Sequence, residues 1–216
     1  MWKDLEADIF MKVTNLVVSM CATNCYIAYN ENTLEGIIVD PGDEAKRIIA
    51  KISDLEIKPV AILLTHGHFD HAGACADIAA EYDIPVYAAE AEKETLINSG
   101  INLSEWTNRP VEYHADEFLK DEQEVELAGF KLRMLLTPGH TMGGCCYYFP
   151  YEGIVFTGDS LFAGSVGRTD FPGGSMSTLV QAVRDKLMVL PSDTICYPGH
   201  NEPTTIEEER VSNPYL

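Results

Sequence analysis

Apolar residues along the chain fall into short runs with two different periods. Residues 10–29 and 36–40 are rich in Val, Ile and Tyr and read as a meander of strands, with a turn at Asn30-Glu31-Asn32-Thr33. Residues 44–55 change period: Ala45, Ile48, Ile49, Ile52 and Leu55 recur at helical spacing. Pro59-Val60-Ala61-Ile62-Leu63-Leu64 is a short apolar run and predicts a buried strand, and the alanine-rich stretch 72–82 predicts a helix. A short strand is expected at 85–88 and a helix at 90–98. Residues 100–117 show no periodicity and are expected to form a loop over the surface. The second half repeats the design. Residues 125–136 read as a hairpin turning at Ala128-Gly129, and 145–149 with 153–156 as another turning at Pro150-Tyr151-Glu152. A helix over 176–190 carries Leu179, Val180, Val183, Leu187 and Leu190 on one side, and 204–210 predict a last short helix. Strands then helix, twice over, predict two similar layers packed face to face. No low-complexity segment or linker interrupts the 216 residues, so one domain spanning 1–216 is expected.

The chemistry-bearing residues sit where these strands end. Thr65-His66-Gly67-His68-Phe69-Asp70-His71 follows the 59–64 strand. His-x-His on an extended segment sends both rings to one side, because side chains alternate with period two. Asp70 and His71 follow at the bend and can aim at a second point, so the cluster is suited to two cations. His140 in Thr137-Pro138-Gly139-His140 follows the apolar residues 132–136. Asp159 in Phe156-Thr157-Gly158-Asp159 follows Gly153-Ile154-Val155, and His200 in Tyr197-Pro198-Gly199-His200 follows Asp193-Thr194-Ile195-Cys196. Each place repeats one order: apolar strand, turn-forming residue, metal-capable side chain. Five of the six histidines fall in such positions; His114 does not, and reads as an exposed loop residue. Tyr147 and Tyr148 read as ordinary strand residues.

His-x-His-x-Asp-His, followed by a distant His, then Asp, then His, resembles the metallo-β-lactamase superfamily, and within it the glyoxalase II (hydroxyacylglutathione hydrolase) branch. Ile38-Val39-Asp40-Pro41-Gly42, Gly167-Arg168-Thr169-Asp170 and Asn213-Pro214-Tyr215 add to the likeness. The resemblance implies an α/β four-layer αββα sandwich with a metal site at one edge. It implies that His66, His68 and His140 bind one metal, that Asp70, His71 and His200 bind the other, and that Asp159 bridges them. Two cations about 3.5 Å apart can share one water and make it a hydroxide nucleophile near neutral pH. Asp70 and Asp159 are thus expected to serve catalysis through the metals, with no serine or cysteine nucleophile. Zinc is the expected ion; an all nitrogen and oxygen ligand set also admits iron or manganese. For Asp40, turn chemistry and support of the ligand loops weigh equally. Arg168 either contacts substrate or pairs with Asp170 to brace its loop, with bracing the better reading.

The implied activity is hydrolysis of a small-molecule acyl-thiol, since no general acid stands outside the ligand set and a thiolate leaves without one. Aspartate at position 159 also argues against a β-lactamase, many of which place cysteine at the matching position. Full-length glyoxalase II enzymes carry a helical C-terminal extension for glutathione, and only sixteen residues follow His200 here. Recognition of glutathione is therefore expected to be weak. The alternative is an iron-dependent persulfide dioxygenase on the same scaffold. Its Gly-Arg-Thr-Asp-Phe loop matches residues 167–171, and His66, His140 and Asp159 would supply its iron site. Pro172-Gly173-Gly174 after that loop is closer to the short hydrolases. A non-catalytic metal-binding module is a third reading, disfavoured by the complete ligand set.

Charge narrows the partners. A formal net charge of −19 repels phosphate backbones and anionic lipid, so neither nucleic acid nor membrane is expected as a partner. No apolar run approaches a membrane span, and Met1-Trp2-Lys3-Asp4-Leu5-Glu6 lacks the basic start and apolar stretch of a signal peptide. The expected location is the cytoplasm. Six cysteines form no Cys-x-x-Cys pair and read as small, mostly buried thiols; Cys145 and Cys146, adjacent in a strand, are expected on opposite faces.

Overall fold

A computed structural model describes residues 10–216; the reading of the first six residues lies outside that range. The first half of the chain supplies β1 (Met11–Val18), β2 (Thr23–Asn30), β3 (Glu35–Val39), α1 (Ala45–Asp54), β4 (Lys58–Leu63), α2 (Phe69–Ala72), α3 (Cys75–Tyr82), β5 (Val86–Ala89), α4 (Lys93–Ile97) and β6 (Glu117–Leu119). The second supplies β7 (Glu124–Leu127), β8 (Phe130–Leu136), β9 (Cys145–Phe149), β10 (Ile154–Gly158), the small hairpin β11 (Leu161–Phe162) and β12 (Ser165–Val166), α5 (Met176–Lys186), β13 (Ile195–Pro198), β14 (Thr204–Thr205) and α6 (Ile206–Ser212). One six-stranded sheet runs β1-β2-β3-β4-β5-β6 and the other β14-β13-β10-β9-β8-β7.

Side-chain alternation builds three apolar layers from these two sheets. Tyr26, Ala28, Ile37, Val39 and Leu63 from the first sheet meet Phe130, Tyr147, Phe149 and Phe156 from the second in the central core. Their neighbours Cys25, Ile27, Ile38 and Ile62 point the other way, onto Ile48 and Ile52 of α1 and Ile78 of α3. On the far face Cys146, Tyr148 and Val155 pack against Leu179 and Val183 of α5 and Ile206 of α6. Central strands are therefore apolar on both faces, which is why they read as continuous runs. The result is the four-layer αββα sandwich expected from the resemblance, and Cys145 and Cys146 do face opposite cores. Among the described residues no helix is long and apolar enough to cross a membrane.

Three sequence expectations need correction. The helix expected over 72–82 is two helices, α2 and α3, broken at Gly73-Ala74. The Asp40-Pro41-Gly42 loop docks into that break: Ala74 donates its N–H to the Pro41 carbonyl at 2.9 Å. The helix expected over 176–190 ends at Lys186. Pro191 follows shortly, and the Arg210 guanidinium donates to the carbonyls of Met188 and Leu190, which replaces further helical turns. Residues 100–117 are more than a surface loop: Asn102 is buried, accepts the Phe69 N–H through its carbonyl at 2.9 Å, and anchors a 3-10 turn at Ser104–Thr107.

Gly42 is where the loop and helix interlock, since a Cβ there would strike the Asp70 carbonyl. Gly42→Ala is expected to cost about 1–3 kcal/mol of stability as overpacking. It should also displace Asp70 and His71 and weaken metal retention. Thermal unfolding combined with elemental analysis checks both, and unchanged values in the variant would contradict the interlock.

Candidate metal centre

Four strand ends meet at one edge of the sandwich, and each delivers a ligand-type side chain. Leu64 and Thr65, after β4, lead to the extended residues that carry His66 and His68; His68 is itself extended and enters the short helix α2, whose first turn holds Asp70 and His71. His140 follows β8, Asp159 follows β10, and His200 follows β13. Two turns need glycine. Gly158 has φ +47° and lies against Thr65, and a Cβ on Gly199 would overlap Asp159 Oδ1 and His71 Cε1.

The ring nitrogens form a convergent set. His66 Nε2 and His140 Nε2 each lie 3.0 Å from His68 Nδ1. The hydrogen-bond network assigns the tautomers. His140 Nδ1 donates to the Arg168 carbonyl at 2.8 Å, so its Nε2 carries a lone pair. Thr65 Oγ1 donates to Asp40 at 2.6 Å, so it accepts from His66 Nδ1 at 3.2 Å, and His66 Nε2 carries a lone pair too. One N–H on His68 cannot serve both lone pairs. Three imidazole nitrogens at tetrahedral positions on zinc would stand about 3.4 Å apart, close to this spacing.

A second group adjoins the first. His71 Nε2 lies 3.5 Å from Asp159 Oδ1 and 3.8 Å from Asp70 Oδ2, while His200 Nε2 lies 3.5 Å from Asp70 Oδ2 and 3.6 Å from Asp159 Oδ2. Asp159 Oδ2 is also 3.4 Å from His140 Nε2, so its carboxylate spans both groups. His71 Nε2 and Asp159 Oδ1 are buried without a hydrogen-bond partner. Such orphans are costly unless something electrophilic satisfies them. The ligand atoms of His66-His68-His140, His66-His71-Asp159 and Asp70-His71-His200 each fall within 4.8 Å of one another. The seven expected ligand residues are thus together and fit two divalent cations; exposed His114 joins none of these groups.

Electrostatics hold His66, His68 and Asp70 in ligand-ready forms and load a proton onto His71. Burial, then the neighbouring imidazoles, push His66 and His68 well below the usual histidine range, which keeps them neutral. Burial opposes ionisation of Asp70, but His71 and His200 outweigh it and hold the carboxyl well below its usual range. At His71 burial opposes the cation, and Asp159, Asp70 and Asp40 together outweigh it and push the pKa up to about 10.

Both sequence-flagged supports are resolved by contacts. Asp40, 2% exposed, accepts from the Thr65 N–H at 2.8 Å and pairs with His71 Nδ1 at 3.0 Å, so it orients a ligand rather than merely making a turn. Arg168 grips Asp170 with two bonds of 2.7 Å and also lines the cavity above the ligands. Sequence reading missed three further supports. Buried Glu92 accepts N–H bonds from Gly67 at 2.9 Å and Gly143 at 2.8 Å and the Thr141 hydroxyl at 3.0 Å, and so joins the His66/His68 loop to the His140 loop. Burial pushes its carboxyl up to about 7 against those bonds. Tyr147, taken for an ordinary strand residue, donates to the Leu64 carbonyl at 2.8 Å, and Tyr26 donates to the Pro198 carbonyl at 2.8 Å. Nothing local in sequence marks these residues, since their partners lie far along the chain.

Comparison with known proteins bears on the same residues. The family model for the metallo-beta-lactamase superfamily matches residues 18–200. The chain belongs to that superfamily. It is 36% identical to the hydroxyacylglutathione hydrolase GloC of Haemophilus influenzae, over 95% of this chain and 98% of that protein. The crystal structure of the BLEG-1 B3 metallo-beta-lactamase matches with a TM-score of 0.90 and 36% identity, covering 95% of this chain and 99% of that one. TTHA1623, solved in a di-iron-bound form, matches with a TM-score of 0.82 and 32% identity, covering 94% and 100%. Membership and the His/Asp cluster together make this chain a metal-dependent hydrolase of the superfamily.

Two predictions follow from this geometry. Asp159→Ala is expected to abolish metal retention and hydrolysis, whereas Asp40→Ala and Glu92→Gln should lower metal affinity by about 10–100-fold through misplaced ligands. His114→Ala should leave both unchanged; metal titration of the purified variants decides. A His114→Ala loss as large as that of Asp159→Ala would refute the division. The second concerns pH. His71, raised from about 6.5 unfolded to about 10 folded, holds its proton more tightly in the folded chain. Its stabilising contribution is complete below about pH 6.5 and lost as pH rises toward 10. Chelator-treated protein should therefore lose thermal stability between those pH values. Metal-loaded protein, in which His71 Nε2 carries no proton to lose, should change little, and parallel pH profiles for the two would contradict the assignment.

Proposed function

We propose that the chain hydrolyses small thioesters at this centre. The observation that carries the reading is the protic inventory of the cavity. Outside the ligand set, its lining includes Arg168, Cys21 and Asn201 but no carboxylic acid, lysine or further histidine. Arg168 stays charged. The Cys21 thiol is raised above its usual range by burial and then by Asp70 beside it, which makes it a poor acid. A thiolate, with a parent pKa of about 8.5, departs without protonation, whereas an amide nitrogen needs a proton donor.

The chain's own residues then act in definable ways. Asp159 turns Oδ1 toward His71 and Oδ2 toward His140 and His200, while Asp40 and the Arg168 carbonyl fix the rings of His71 and His140 so that each Nε2 faces inward. Two divalent cations held there would supply Lewis acidity toward the substrate carbonyl and toward an attacking water. The similarity to GloC, whose name is that of a thioester hydrolase, supports this reading.

Competing readings differ in measurable quantities. The name of BLEG-1 makes a β-lactam the rival substrate, and the Gly-Arg-Thr-Asp-Phe string at 167–171 makes an iron-dependent dioxygenase the rival chemistry. Freshly purified protein is expected to hold two divalent ions per chain, chiefly zinc. It should cleave S-lactoylglutathione and simpler thioesters, with β-lactams and amides far slower, in one buffer and metal condition. Reproducible binding of a single iron with oxygen uptake on a persulfide would replace hydrolysis by dioxygenation. Efficient turnover confined to a β-lactam would defeat the leaving-group argument.

A further inference from the structure

The cavity over the ligands encloses about 440 Å³, within the range of small-molecule sites. Its walls are unlike its floor. Phe171 stands edge-on against two ligand rings, 5.6 Å from His68 and 6.3 Å from His140, and Trp106 packs edge-to-face on Phe171 at 5.4 Å. Leu103 and Phe69 continue that side, and Phe162 faces it from beside His200 at 6.2 Å. Trp106 is 66% exposed although it is large and apolar. An exposed aromatic at the mouth of a buried polar centre is a surface waiting for an apolar group.

Charge points the same way. Arg168 is the single lysine or arginine among the described residues that line the cavity, and its guanidinium is already used twice. It grips Asp170 with two bonds of 2.7 Å and lies 4.0 Å over the Phe171 ring. Among the described lining residues no second cation stands ready to receive the carboxylates of a glutathionyl arm, and the protein's net charge of −19 repels them at longer range.

The structure assigns, we infer, an apolar-arm subsite to the Trp106–Phe171 wall. Resting on the thioesterase reading, the inference is that the preferred substrate carries an uncharged chain of several carbons against this wall, and that glutathione is not the recognised thiol. The wall is a binding surface that positions the carbonyl over the ligands; it takes no part in bond making.

Metal-loaded enzyme is tested with acetyl, butyryl and hexanoyl thioesters of one neutral thiol, N-acetylcysteamine, and with S-lactoylglutathione. Each added methylene is expected to raise kcat/KM about three- to fourfold, chiefly through KM. Trp106→Ala and Phe171→Leu should flatten that series; the exposure of Trp106 makes its variant safe for folding. Calorimetry with non-hydrolysed thioethers gives an independent readout. The S-hexyl ether of N-acetylcysteamine should bind at least tenfold tighter than its S-methyl ether, and S-hexylglutathione no tighter than the neutral hexyl ether. A flat chain-length series, a glutathione ether bound tenfold tighter than its neutral counterpart, or wild-type selectivity in Trp106→Ala overturns the inference. Chain-length selectivity in binding without hydrolysis of any thioester would instead sink the thioesterase reading and leave the subsite standing.

Discussion

The carboxylate of Asp40 holds the metal edge together. It is buried at the end of β3, with a left-handed φ of 50°, and accepts from the Thr65 N–H, the Thr65 hydroxyl and His71 Nδ1. These three contacts tie one strand end to the next strand's ligand loop and to the helix that carries Asp70 and His71. Thr65, once committed as a donor to Asp40, accepts from His66, and that fixes which nitrogen of His66 faces the site. A single buried charge thus sets the tautomers and directions of ligands in both groups. Burying it is tolerable because every contact it makes is a hydrogen bond to a donor, the condition under which a buried charge is stable.

The second constraint is registration between sheets. Ligands come from both, so the sandwich must hold its two layers in one relative position to within a fraction of an ångström. Apolar packing alone slides easily; directional bonds across the core do not. Tyr147 of the second sheet bonds Leu64 of the first, Tyr26 of the first bonds Pro198 of the second, and the Cys145 N–H meets the Thr65 carbonyl at 2.9 Å. Each bond lands within two residues of a ligand. The polar tips of core tyrosines therefore act as pins, with their rings buried in the common layer.

What sequence could reveal follows from this division of labour. The ligands were legible because metal binding demands particular side chains at particular spacings, and His-x-His-x-Asp-His is not explained by packing. The layers were legible because alternation along each strand records which face is covered. Glu92, Tyr26 and Tyr147 were not, because a carboxylate or a tyrosine in an apolar run has many ordinary explanations. Their partners stand far away in sequence: Glu92 to Thr141 spans 49 residues and Tyr26 to Pro198 spans 172. The broken helix after Asp70 escaped for a similar reason. Alanine-rich residues favour continuity, and the loop that interrupts them comes from 33 residues upstream, where Pro41 accepts from Ala74.

Folding and metal binding are coupled through the same residues. Asp70 and Asp159 face each other across His71 and His200, with Asp40 behind, so three carboxylates converge where water has largely been excluded. Without cations, a proton on His71 is the nearest compensation, and the carboxylates raise its affinity for that proton accordingly. A divalent ion held by His71 would be a larger compensation, and His71 would have to give up its Nε2 proton to hold it. Binding would therefore release a proton and stabilise the folded edge in one step, with affinity for the ion rising with pH over the range in which His71 would otherwise stay charged. The large negative charge of the whole chain acts in the same direction, since it attracts cations to a centre where Asp40, Asp70 and Asp159 converge.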